Sequence, residues 1–121
     1  MAQLTHTPLS ARRLDAYRLA LELVALLQPA LARIGRDDKE LAAQLRRALP
    51  SVPQNLAEAM RRTGRDRAHL LTVALGSADQ VRCIVDVALV KQQLHPDEAT
   101  QADALADRIC ATLFRLRQRL A

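Results

Sequence analysis

The stretch QLRRALPSVPQNLAEAMRR, residues 44–62, sets Pro50 and Pro53 in the middle of an apolar repeat. Leu41, Leu45, Ala48, Val52, Leu56 and Ala59 recur at steps of three and four residues on both sides of the prolines. That spacing returns the same face of a helix to a core once per turn. A loop has no reason to keep the phase. The pattern therefore predicts one long helix passing through both prolines and kinked there, because each ring removes a donor and presses on the carbonyl four residues back. Ser51 and Asn55 are placed to satisfy backbone groups freed in this way. Asp37 or Asp38 is the expected cap, with Glu40 at the positive end of the helix and an end near Gly64.

Three further runs have the same period. The first is expected to open at Ser10, after Pro8, and carries Leu14, Tyr17, Leu21, Val24, Leu27, Leu31 and Ile34. Pro29 should kink or locally open it, and Gly35 takes the terminal position that glycine favours. The third run, capped by Asp66 and reaching about Gln93, carries Leu71, Ala74, Ala78, Val81, Val85 and Ala88. Leu70, Leu75, Ile84 and Leu89 widen its face, as burial in a bundle requires. Gly76 and Ser77 within it read as small residues for close approach of a neighbouring helix. The fourth opens with Pro96, Asp97 and Glu98 and continues through Ala102, Ala106, Ile109, Leu113, Leu116 and Leu120. Short connections make neighbours antiparallel. The expected fold is all-α: an antiparallel up-down-up-down four-helix bundle with a proline-kinked second helix. Residues 1–9 are expected to form a flexible tail, and residues 10–121 a single domain.

Composition agrees with this class. Tyr17 and Phe114 are the only aromatic residues, and leucine and alanine, both strong helix formers, dominate the apolar half of the chain. At 121 residues a core can form without disulfide or metal staples. Cys83 and Cys110 read as small buried hydrophobes in a reducing compartment. The N-terminal residues lack the apolar core of a signal peptide, and no apolar stretch is long enough to span a membrane. The expected location is the cytoplasm, with no membrane partner.

Residues that carry chemistry are few. His6, His69 and His95 have no ligand-spaced carboxylate, and Glu22, Glu40, Glu58 and Glu98 lack the histidine of a di-iron pair. No nucleophile elbow or glycine-rich phosphate loop is present. The expectation is a non-enzymatic protein with no metal, no cofactor and no evident small-molecule substrate. Asn55 and Glu58 share a helix face and read either as a polar site or as support for the bent backbone.

Charge is the remaining signal. Eighteen basic residues oppose 13 acidic ones, for a net +5, and Lys39 and Lys91 are the only lysines. Arg46 and Arg47 precede the prolines, while Arg61, Arg62, Arg65 and Arg67 crowd the corner before the third run; Arg115, Arg117 and Arg119 cluster near the C-terminus. One reading is contact with the phosphates of DNA or RNA through Arg46, Arg47, Arg61, Arg62, Arg65 and Arg67. Such contact would follow the backbone, since aromatic stacking platforms are missing. The other reading is a solvated basic face on a protein–protein scaffold with no nucleic-acid role.

QLRRALPSVPQNLAEAMRR followed by VALGSADQ resembles the four-helix-bundle family of 23S rRNA intervening sequence proteins. That family's pattern is close to Q-[LI]-R-R-A-x-x-S-[VI]-P-x-N-[IL]-A-E-G, then A-x-G-S-x-x-E. Gln44, Arg46, Arg47, Ala48, Ser51, Val52, Pro53, Asn55, Leu56, Ala57 and Glu58 match the first block, and Ala74, Gly76 and Ser77 the second. The opening LDAYRLALELV also looks like the family's first helix. Ala59 and Asp79 depart from its usual Gly and Glu, and its aromatic pair is missing around Arg67 to Leu70. The resemblance implies a structural motif of Ser51, Pro53, Asn55, Glu58, Gly76 and Ser77. A related branch, the accessory variability proteins of diversity-generating retroelements, consists of basic homopentameric rings that bind nucleic acid. By that analogy a homopentamer is expected, with surplus apolar residues such as Leu19, Leu26 and Val90 at its contacts.

Overall fold

The computed structural model describes residues 14–120. The expected tail of residues 1–9 and the Ser10 cap lie outside the described residues. Within them the chain forms α1 (Asp15–Leu26), α2 (Gln28–Asp37), α3 (Lys39–Ala59), α4 (Gly64–Val90) and α5 (Pro96–Arg119), with no strand.

Five helices replace the four expected, and Pro29 is the reason. The first run breaks at Leu27, and Pro29 falls in the opening turn of α2, where a missing N–H costs nothing. The Gln28 side chain donates to the Val24 carbonyl at 2.9 Å and so ties the end of α1. Gly35 does not end the helix; α2 continues to Asp37. By contrast, α3 runs through Pro50 and Pro53 without interruption, as its stripe predicts. Asp66 is not the cap of α4 but lies in its first turn, after Thr63 and Gly64. Gly64 has φ of 59°, a value that glycine adopts at little cost.

Contacts between distant residues give the directions of the helices. Arg67 meets Ala59, Ser77 meets Ser51, and Lys91 meets Asp38, so α3 and α4 are antiparallel. Arg117 meets Thr72, Cys110 meets Asp79, and Asp103 meets Arg82, so α4 and α5 are antiparallel too. The start of α1 lies beside Arg115 and Arg119 of α5, while Arg33 of α2 reaches Glu98 at the other end of α5. Thus α1 and α2 together run the length of α5. They close the bundle by packing on α3.

The buried residues form one cluster. Every stripe residue expected in α3 is buried, as are Leu71, Ala74, Ala78, Val81, Val85 and Ala88 of α4. The stripe of the first run is met in part: Tyr17, Leu27 and Ile34 are buried as expected, Leu14, Leu21, Val24 and Leu31 are only partly so, and Ala16, Leu19, Ala20 and Leu23 are buried in addition. Cys83 is exposed and Cys110 half-buried, so neither is a fully buried core residue. Burial and then the neighbouring Asp79 carboxylate push the Cys110 thiol up to about 11.

Two ion pairs clasp the end of the bundle remote from the α3–α4 turn. Asp38 caps α3 by accepting from Leu41 N at 3.0 Å and also binds Lys91. Glu98 binds Arg33 and accepts from His95 N at 3.0 Å. The Lys91 hydrogen bond and then the Leu41 amide hold Asp38 below its ordinary 3.8. Burial alone would raise Glu98, but its bonds to Arg33 and His95 N hold it below 4.5. Both shifts favour the ionised fold. Their contribution is present above the unfolded values and lost as pH falls through the lower, folded ones. Stability should therefore be flat above about pH 5 and decline below it. In urea titrations across that range, Glu98→Gln should lose less stability than the parent; an equal loss would place the titrating groups elsewhere.

Candidate nucleic-acid interface

The residues of the proline motif and of the Gly-Ser pair form one seam. Ser51 Oγ and Ser77 Oγ lie 2.7 Å apart, joining the middle of α3 to the middle of α4. Asn55 Nδ2 donates to Ser51 O at 2.8 Å and to Ser51 Oγ at 2.9 Å. The carbonyls deprived of a helical donor by Pro50 and Pro53 are those of Arg46 and Leu49. The Asn55 amide therefore serves the seam rather than a carbonyl freed by proline, contrary to the expectation from sequence. Pro53 is buried and contributes apolar surface. Gly76 is exposed, and a Cβ placed there would meet nothing within 4 Å, so close helix approach requires Ser77 but not Gly76. Glu58 turns away from Asn55, towards Arg62 at 2.6 Å and Arg61 at 3.9 Å.

The arginines divide into two groups. Arg61, Arg62, Arg65 and Arg67 come together at the α3–α4 turn. Arg67 is partly committed to the fold, since its Nε donates to Ala59 O at 3.2 Å. Arg62 is bound by Glu58, but an exposed pair of this kind is worth only about 0–1 kcal/mol and leaves the guanidinium available. Arg46 and Arg47 are exposed on α3, roughly 20 Å further along by helical rise. The bundle adds a group that the sequence reading kept separate. Because α5 runs antiparallel to α4, Arg115, Arg117 and Arg119 return to the same end as the turn. Phe114 accompanies them, 47% exposed, with the Arg117 guanidinium 5.4 Å from its ring centroid. One aromatic surface is thus present at the basic end. Only a three-dimensional pairing of helices could have revealed it.

The family model for 23S rRNA-intervening sequence protein matches residues 12–115. The chain belongs to the 23S rRNA-intervening sequence protein family. It is similar in fold to a protein of unknown function from the S23 ribosomal protein family of Bacteroides thetaiotaomicron VPI-5482, whose crystal structure was determined at 1.70 Å. The two align with a TM-score of 0.74 at 18% identity, over 84% of this chain and 97% of that one. No curated protein matches.

In this member of the 23S rRNA-intervening sequence protein family, the two blocks of the sequence pattern meet as hydrogen-bonding partners across α3 and α4. Asp79, at the position where the family usually has Glu, accepts from Cys110 Sγ at 3.6 Å and so belongs to the α4–α5 contact. Among the described residues, no group of His, Cys, Asp or Glu is arranged to hold a metal ion. Among the described residues, no helix is long and apolar enough to cross a membrane.

The adjacent residues Gly76 and Ser77 should respond oppositely to alanine. Gly76→Ala enters open space and gains helix propensity, for a stabilisation of up to about 1 kcal/mol. Ser77→Ala removes the bond to Ser51 and should destabilise by about 1 kcal/mol. Thermal melting of the two variants checks both signs, and a destabilised Gly76→Ala would mean that the glycine meets a surface of another molecule.

Proposed function

We propose that this is a non-enzymatic, cytoplasmic, oligomeric helical bundle that binds the nucleic-acid backbone through its arginine-rich end. The observation that carries the reading is the convergence of Arg61, Arg62, Arg65 and Arg67 with Arg115, Arg117 and Arg119 at one end, opposed there by Glu58, Asp66 and Asp15. A guanidinium cluster of this kind suits phosphates, whose counterions are released on binding. Arg46 and Arg47 would extend the footprint along α3. In the same reading α1 and α2 act as one column of a four-column bundle, and α3 bends at its prolines to follow the core.

Binding of the nucleic-acid-stripped protein to duplex DNA and structured RNA, over a range of salt, tests this. Affinity should fall steeply with salt. Replacing Arg61, Arg62 and Arg65 together by alanine should lower the slope of log K against log salt by about 3, with helicity unchanged. Arg67 is left in place because it ties the turn to Ala59. Binding that is indifferent to salt, or to the triple substitution, would refute the assignment.

The homopentamer expected from the family resemblance is part of this proposal. Of the apolar residues expected at its contacts, Leu19 is buried and Leu26 half-buried, but Val90 is 82% exposed. Val87 and Leu89 stand near it, beside a groove of about 460 Å³ lined by Val85, Leu89, Pro96 and Ala99. Phe114 is a second, dissimilar apolar point, and a closed ring needs two different patches per subunit. The same surface favours the second reading, a protein–protein scaffold. Val90→Glu should reduce the mass measured by light scattering to that of the monomer; an unchanged mass would move the contact elsewhere.

A further inference from the structure

The outer seam between α4 and α5 has two unlike ends. On α5, Asp103, Cys110 and Arg117 are spaced by seven residues, and each bonds to α4, at Arg82, Asp79 and Thr72 respectively. Such a spacing is close to two helical turns, so the three lie along one line of the helix. Pro96 begins that line, seven residues before Asp103, and Phe114 stands on it between Cys110 and Arg117.

At the Pro96 end the seam opens into a groove of about 460 Å³. It is lined by apolar Val85, Leu89, Pro96 and Ala99 and by the carboxylates of Asp86 and Asp103. Asp103 shares Arg82 with Asp107, so one cation serves two carboxylates, and Asp86 has no partner among the described residues. This end is acidic and apolar, on a chain whose net charge is +5. At the other end Phe114 is half-exposed beneath the Arg117 guanidinium. That end is aromatic and cationic, the chemistry that most often anchors an interface, and a single phenylalanine can bury about 150–250 Å². The groove is within the size range of pockets that enclose such a group.

The two ends complement one another but cannot meet within one copy, since Phe114 lies roughly 16 Å beyond Asp103 by helical rise. Between copies they can. A second copy laid antiparallel along the seam brings the Phe114 end of each to the groove of the other, and one two-fold rotation makes both exchanges.

We propose that the α4–α5 seam is a self-complementary dimer face. Phe114 of each copy enters the groove of the other, and Arg117 pairs with Asp86 of the other copy. Arg115 and Arg119 line the α1 side of α5 and stay with the basic end. The inference rests on the oligomeric part of the reading above and gives this contact two-fold symmetry. A ring of five then closes through other surfaces, and its pairing along the seam makes ten copies.

The test is light scattering and sedimentation equilibrium of the nucleic-acid-stripped full chain, under reducing conditions because Cys83 is exposed. The parent should show the mass of two copies. Arg117→Asp and Asp86→Arg each set like charges against each other, so each should weaken the dimer at least about tenfold with helicity unchanged. The two substitutions together should restore it. Ten copies that fall to five with either single variant would support the contact equally. Five copies indifferent to both variants would leave the ring standing and overturn the contact, whereas a single copy at every concentration would overturn both. Two copies indifferent to the variants, or a double variant as weak as the singles, would also overturn it.

Discussion

The structure depends on carrying one helix through two prolines without losing contact with the core. Each proline within a helix costs about 3 kcal/mol in an isolated chain. Against that, Leu49, Val52 and Leu56 are almost wholly buried around the two rings, and burial of such side chains is worth about 1.5–3 kcal/mol each. Continuity of α3 is therefore imposed by packing, as is usual for helices in proteins. Because α3 touches α1, α2 and α4, a break there would separate all three. The Ser51, Asn55 and Ser77 bonds add about 1 kcal/mol each, less than the apolar contacts, but they are directional. They specify the register in which α3 meets α4.

What could be read from sequence follows from which forces are local. In α3, α4 and α5 the apolar phase is repeated over many turns and the central stripes are buried. Of the residues expected to widen the α4 face, however, only Ile84 is buried: Leu70 and Leu75 are partly so and Leu89 is exposed, as the flanks of a stripe face the bundle's edge. Leu120, at the end of α5, is likewise only partly buried. The buried face of α1 is wider than its expected stripe and shifted beyond Tyr17, because α1 packs on both α5 and α3, and its small residues Ala16 and Ala20 are as deeply buried as its leucines. Pro29 and the prolines of α3 look alike in sequence. They differ because Pro29 lies where a new helix can begin at Gln28, whereas Pro50 and Pro53 lie deep inside a helix held on three sides. Cys83 reads as apolar by type, yet falls on the solvent side of α4 between buried Val81 and Ile84. The arginine corner at residues 61–67 was legible as a run. Its union with Arg115, Arg117, Arg119 and Phe114 was not, because it requires the antiparallel pairing of α4 and α5.

The two ends of the bundle solve different electrostatic problems. At the remote end the charges are paired and capped: Asp38 with Lys91 and the Leu41 amide, Glu98 with Arg33 and the His95 amide that precedes α5. These pairs join segments distant in sequence, so removing either member affects the fold. At the other end the arginines exceed their acidic neighbours, and their pairs with Glu58 are local and solvent-exposed. Such pairs exchange readily with a phosphate, since the competing attraction is already screened by water. Arg67 is the exception, bound to a backbone carbonyl at the junction of α3 and α4. It holds the turn in place while Arg61, Arg62 and Arg65 present their charge outward. A surface of this kind can be rebuilt residue by residue without disturbing a leucine–alanine core several turns away, which is why the core pattern identifies the family and the surface has to be read from the fold.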